Sequence, residues 1–326
     1  MMKAAALGVA MLVMLQTAAA QRGKEIPRDT SFTIYNTAAK VQKTYPNARL
    51  VRPELAADCE METDLVYASP GGRDLHLDII MPSAKKTEVF PCVLIIHGGG
   101  WRSGSRQMEY PMAERIAAHG YVTVPVEYRL SVEEPYPAAV FDLKAAVRWL
   151  RANAAKYHIN PNKFAVYGCS AGGTLAALLG TTGGLKKFEG YGPNADQSTY
   201  IQCIVDVDGI VTFTDPADSL NDANPAKPSA ASLWFGGTAK EKPELWKEAS
   251  ALYYVDRQTP PVIFINSILD RYHRGRDEMI EKLNELSIYS EVHTIPGTPH
   301  PFWLFHPWFE PASERIIAFL NRVLKE

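Results

Sequence analysis

The chain has 326 residues, 46% of them hydrophobic and 21% charged, with a formal charge of −2. That length allows one large domain or two small ones, and the composition supplies a full core. A balance so close to neutral gives no basis for nucleic acid or an anionic membrane surface as a global partner.

The first residues read as a leader, not as fold. Met1-Met2-Lys3 is a positive start, Ala4 to Leu15 is apolar but short and Ala-rich for a membrane span, and Ala18-Ala19-Ala20 is an A-x-A cleavage signal before Gln21. Residues 1–20 are therefore expected to be a cleaved signal peptide. The mature chain, 21–326, is then a single secreted or periplasmic domain with no membrane attachment. A retained N-terminal anchor is the alternative.

Residues 21–60 show weak periodicity and read as an N-terminal extension wrapping the body. Thr63–Tyr67 and Arg73–Met81 alternate polar and apolar residues across Pro70-Gly71-Gly72, the pattern of an antiparallel hairpin at a sheet edge. Phe90–Ile96 is continuously apolar, as in a strand covered on both faces. It runs into His97-Gly98-Gly99-Gly100-Trp101. Tyr110–His119 reads as a helix closed by Gly120, Tyr121–Val126 as a strand, and Pro137–Ala152 as a helix with Val140, Leu143, Val147 and Leu150 on one face. Phe164–Tyr167 and Gln202–Val207 read as buried strands.

Residues 208–258 break this rhythm with Pro, Asp, Asn and Ala. They are long for a connection inside a compact domain and read as an insertion covering the site. Val262–Ile265 and Tyr289–Ile295 are the last strands. Arg274–Leu286 and a segment opened by Pro311 are the last helices. The alternation predicts an α/β fold, a mostly parallel sheet with helices on both faces. Cys59, Cys92, Cys169 and Cys203 make disulfides arithmetically possible. Cys169 and Cys203 fall at opposite ends of their strands, so buried free thiols are expected.

The chemistry gathers around Gly168-Cys169-Ser170-Ala171-Gly172, a G-x-S-x-G pattern between a buried strand and a small-residue apolar helix. In that setting the serine sits strained at the tip of a sharp turn, and glycines two residues before and after make room for it. The hydroxyl projects above the sheet, and the first helical N–H groups point at the site. The three glycines of the HGGGW run let backbone N–H groups approach a ligand closely, as an oxyanion requires. His97 reads as a residue that fixes this loop, and Asp142 as a structural hydrogen-bonding partner.

A serine hydroxyl is a poor nucleophile until a base takes its proton, and the base needs an orienting carboxylate. His300, in the loop after the last strand, is the expected base. Asp270, in the loop after Val262–Ile265, is the expected acid, giving a Ser170, Asp270, His300 triad. Asp208 and His306 stand as second choices, with Asp206, His273 and His293 weaker.

HGGGW, GCSAGG, the acid-bearing loop and the late histidine resemble the α/β-hydrolase serine esterases. Within them the chain is similar to secreted bacterial acetyl-xylan and feruloyl esterase-like enzymes that deacylate plant polysaccharides. Tyr128-Arg129-Leu130, Tyr136-Pro137-Ala138-Ala139 and Asp142 carry the same likeness, which runs from about Leu65 to the C-terminus. It implies oxyanion donors at Gly99, Gly100 and Ala171, a carbohydrate ester as substrate, and no metal or cofactor. The chain departs from the group at Cys169, where histidine is frequent, and at Arg271-Tyr272-His273-Arg274-Gly275-Arg276, where a shorter apolar step is usual.

The expected activity is removal of small acyl groups, acetyl foremost, from a cell-wall polysaccharide. Pectin methylesterase or feruloyl esterase activity is the alternative. An exopeptidase has little room here for its added domain, and a non-catalytic binding module fits poorly with a complete set of reactive groups. Trp101, Arg271 and Arg274 are candidate substrate contacts. The arginines suit a carboxylate-bearing backbone such as pectin. The plainer reading is that Arg274 and Arg276 open a solvated helix and pair with Asp277 or Glu278.

Overall fold

A computed structural model describes residues 26–83, 88–215 and 226–326. The leader expected over 1–20 and part of the 208–258 insertion lie outside these residues. Eight strands form the central sheet: β1 (Cys59–Ala68), β2 (Leu75–Pro82), β3 (Phe90–Ile96), β4 (Val122–Val126), β5 (Ile159–Cys169), β6 (Cys203–Val207), β7 (Val262–Asn266) and β8 (Ser290–Thr294). Their spatial order is β1-β2-β4-β3-β5-β6-β7-β8. The hairpin β1–β2 is antiparallel and meets β4 antiparallel, while β4, β3 and β5 to β8 are parallel neighbours.

Strand periodicity explains the continuous apolar runs. In β3, Leu94 and Ile96 point to one helical layer, while Val93 and Ile95 point to the other. The first layer holds helix Ala138–Ala152, through Leu143, Val147 and Leu150, and helix Ala171–Thr181, through Leu175 and Leu178. The second holds helix Tyr110–Ala117, through Met112 and Ile116, and helix Phe309–Leu324, through Ile316 and Leu320. Each of these fully buried aliphatic side chains contributes about 1.5–3 kcal/mol on leaving water. The sheet is thus held from both sides, and the ends of its parallel strands become a rigid platform for loops.

The N-terminal segment forms helix Ile34–Thr44, capped by the Thr33 hydroxyl accepting from the Asn36 amide. Arg49–Leu50 then pairs with Phe305–His306, and Asp29 bridges to Ser103. The described part of the insertion includes helices Ala230–Phe235 and Pro243–Glu248. Trp234, Phe235 and Trp246 in it are core. Trp234 lies flat on Trp101 at 4.6 Å and 3°, and Phe235 packs on Trp246 at 5.0 Å.

Several boundaries differ from expectation, two of them with a clear cause. The elbow strand begins at Ile159, and the final helix begins at Phe309, two residues before Pro311. The strand starts before its apolar run because Ile159 already pairs with Phe90 of β3, and the helix starts earlier because Phe309 is itself buried in the core. All four cysteines are free and buried. Cys169 pairs in register with Val207, and Cys203 with Ala165, which sets the two thiols at opposite ends of that strand pair.

Candidate active site

Ser170 is the first residue after β5 and caps helix Ala171–Thr181, with φ 54° and ψ −122°. A non-glycine residue holds such a conformation only where its surroundings over-determine it. A Cβ at Gly168 would sit 1.9 Å from the Gly172 carbonyl oxygen, and one at Gly172 would sit 2.1 Å from that of Ile96. Strand and helix can therefore close on each other only with glycine at both positions. The Ser170 amide donates to the Val207 carbonyl at 2.8 Å, which ties the turn to β6.

The structure brings Ser170 and His300 together. His300 Nε2 lies 2.8 Å from Ser170 Oγ, and Nδ1 lies 2.9 Å from Asp208 Oδ2. A carboxylate can only accept, so Nδ1 carries the proton and Nε2 is free to accept from the serine. Asp208 directly follows β6 in a left-handed conformation, φ 52°. Its second oxygen accepts from the Ser267 amide at 2.6 Å.

This corrects the acid. The expected Asp270 lies in a helical turn, Asp270–Tyr272, with its side chain fully exposed, and the titratable group recorded beside it is His273, 3.8 Å away. The turn directs the carboxylate to solvent, and Asp208 already occupies the position beside His300 Nδ1. Three other rivals are used elsewhere. His306 pairs with Glu310 at 2.7 Å and His293 with Glu291 at 2.8 Å, while Asp206 accepts from the Gly209 amide.

Burial would push Asp208 up, but the neighbouring His273 and His300 and the Ser267 amide outweigh it and hold the carboxyl below the usual range. His273 Nε2 lies 3.7 Å from Asp208 Oδ1. Burial lowers His300 below the ordinary imidazole value, Asp208 opposes this, and the Arg271 cation adds to the lowering.

The loop after β3 turns toward the serine. Gly99 has φ 127°, and a Cβ there would meet the Ser103 carbonyl at 2.1 Å. Among the described residues, no acceptor is recorded for the amides of Gly99, Gly100 or Ala171. His97 is buried and stacks on Tyr128 at 4.5 Å, and its Nδ1 is 2.7 Å from the Gly98 carbonyl. Burial pushes it down to about 4, so it stays neutral and holds the loop. Asp142 binds Arg129 through its backbone amide and its guanidinium.

A cleft of about 690 Å³ opens over Ser170 and His300. Trp101, Arg271 and Arg274 all line it, though Trp101 is only 7% exposed and is chiefly a packing residue. Arg276 bonds Asp277 at 2.8 Å, as the plainer reading of that loop has it. A larger groove of about 1500 Å³ beside the Ile34–Thr44 helix contains none of Ser170, His300 or Asp208. Phe32 and Tyr272 are among the lining residues that were not foreseen. Phe32 arrives from the N-terminal segment, where no periodicity marks it, and Tyr272 stacks on His300 at 3.5 Å and 8°. Among the described residues, no group of three or more His, Cys, Asp or Glu side chains is placed to hold a metal ion.

Sheet order, elbow and late histidine together define the α/β-hydrolase fold. The BD-FAE family pattern matches residues 77–274, more than half of the chain, and the chain belongs to that family. Esterase LipC of Mycobacterium tuberculosis (strain ATCC 25618 / H37Rv) is 29% identical over 258 residues, which cover 76% of this chain and 62% of that protein. The chain spans about six tenths of the length of that relative and of the same organism's probable carboxylic ester hydrolase LipM. A solved structure described as a truncated form of carbohydrate esterase from gut microbiota superposes with TM-score 0.70 at 24% identity, over 83% of this chain and 99% of that one. The bifunctional GH43-CE of Bacteroides eggerthii superposes with TM-score 0.68 at 25% identity, over 82% of this chain and 38% of that one. The resemblance to α/β-hydrolase esterases read from the sequence is thus borne out.

Proposed function

We propose that the chain is a serine carboxylester hydrolase that removes small acyl groups, acetyl foremost, from a cell-wall polysaccharide. The observation that carries the reading is the continuous hydrogen-bonded line from Ser170 Oγ through His300 to Asp208. Ser170 Oγ attacks the ester carbonyl carbon while His300 Nε2 takes its proton, and Asp208 stabilises the imidazolium. The amides of Gly99, Gly100 and Ala171 receive the oxyanion. Collapse expels the alcohol with the proton from His300. Water, deprotonated by the same nitrogen, then releases the acid and restores Ser170.

Relatives named as esterases support the ester as substrate, and neighbours described as carbohydrate esterases support a saccharide. The leader-like residues 1–20 support export to where such polymers lie. Hydrolysis of 4-nitrophenyl acetate, followed by acetate release from acetylated polysaccharides, tests the reading. Activity on both, lost in Ser170→Ala, is expected. A protein inert toward every ester offered contradicts it.

A further inference from the structure

One cation is built into the cleft in a way that the proposed chemistry does not use. The Tyr272 ring lies flat on His300 at 3.5 Å. The Arg271 guanidinium sits over the same ring, 4.7 Å from its centre, and Nη2 donates to the Tyr272 hydroxyl at 2.9 Å. Base, phenol and guanidinium thus share one ring stack, with the cation at the rim of the cleft. Tyr272 supplies a neutral partner. Among the described residues, no carboxylate is recorded within ion-pairing distance of Arg271; the adjacent Asp270 points into solvent beside His273.

The remaining charges do not cancel it. Among the described residues, Asp208 is the one carboxylate lining the cleft, and it is engaged by His300 and the Ser267 amide. Of the other lining arginines, Arg102 is paired with Asp29, and Arg274 adds a further positive charge; Arg276, outside the lining, is paired with Asp277 and the Asn266 side chain. Ile210, Ala230, Ala231 and Trp246 bring no formal charge to the lining.

This placement has a cost for a neutral ester. The reaction creates an imidazolium at His300, and a cation two rings away opposes it. Arg271 does depress the basicity of His300. A substrate anion seated on Arg271 would cancel that field when the imidazolium forms, and would also gain paired hydrogen bonds to a guanidinium already held in place.

We propose that Arg271, fixed on the Tyr272–His300 stack, is an anion subsite, and that the preferred ester carries a carboxylate on its alcohol portion. An acylated uronate-containing saccharide has that chemistry. The inference rests on the esterase reading above.

The test compares mono-O-acetyl galacturonate with mono-O-acetyl galactose, acetylated at the same hydroxyl. In low salt, kcat/KM for the anionic sugar exceeds that for the neutral one by about twofold to fivefold, the size expected of a partly exposed charge pair. Added sodium chloride brings the ratio toward one. Arg271→Gln lowers the ratio toward one, and Arg271→Lys keeps part of it, having charge without the planar fork. A wild-type ratio at or below one, or a ratio unchanged in Arg271→Gln, overturns the subsite while leaving the esterase standing. The subsite is read separately by calorimetric binding of free digalacturonate to the Ser170→Ala protein. Binding that weakens with salt and with Arg271→Gln supports it, and no binding refutes it. If neither acetyl sugar nor 4-nitrophenyl acetate is hydrolysed, the esterase reading falls instead; if only the sugars are inert, the subsite is refuted.

Discussion

Asp208→Asn separates the observed acid from the one that the sequence suggests. The new carboxamide would keep its oxygen toward the Ser267 amide, now 2.6 Å from Asp208 Oδ1, and so turn its NH2 toward His300 Nδ1, now 2.9 Å from Oδ2. An NH2 group donates, so Nδ1 must become the acceptor and the ring proton moves to Nε2. Nε2–H then faces Ser170 Oγ and cannot take its proton. The wrong tautomer in a triad costs about 10⁴-fold in kcat, or roughly 5.4 kcal/mol. Asp270→Asn alters a solvent-exposed side chain and should leave kcat within about twofold, because surface substitutions away from the site are usually near neutral. The assay is steady-state hydrolysis of 4-nitrophenyl acetate, with circular dichroism to show that both variants fold. If Asp208→Asn keeps more than a tenth of wild-type kcat while Asp270→Asn loses most of it, the assignment of the acid is wrong.

Two further outcomes follow from the elbow and its surroundings. Gly168→Ala forces a Cβ to within 1.9 Å of the Gly172 carbonyl oxygen, where only backbone can yield. It should cost at least about 1–3 kcal/mol in stability and displace the serine. Lower Tm together with loss of kcat checks this, and a fully active, equally stable variant contradicts it. Behind the serine, Glu109 is buried with Oε1 3.0 Å from Cys169 Sγ, and burial raises its carboxyl from 4.5 to about 7, though Cys169, Trp303 and Tyr167 oppose the rise. The folded state therefore holds this proton more tightly than the unfolded chain. Its contribution to stability falls as pH rises from 4.5 to about 7 and is level above. The full drop is on the order of 3 kcal/mol. Urea unfolding at pH 5 and 8 should show wild type losing more stability than Glu109→Gln. Parallel losses would remove Glu109 as the source.

Much of the site was legible because strong local constraints leave local signatures. The elbow needs Gly168 and Gly172, the oxyanion loop needs its glycines, and buried parallel strands need continuous apolar runs. His300 followed from lying beyond the last strand. The acid did not follow, because chain order is satisfied equally by Asp208 and Asp270. Its deciding feature is three-dimensional: a left-handed residue at the end of β6, aimed at His300 and held by a β7-loop amide. Its position directly after a buried strand was the available signal. Tyr272 and Phe32 were invisible for a related reason. A stack on a histidine and a wall from a distant N-terminal segment leave no period in the sequence.

Covalent labelling with a fluorophosphonate, followed by peptide mass spectrometry, tests the central claim most directly. Such reagents react with a serine only when a neighbouring base activates it. One phosphonyl group per chain on Ser170, abolished by His300→Ala, is the predicted result. An unlabelled folded protein, or label on a different residue, would contradict a Ser170 nucleophile.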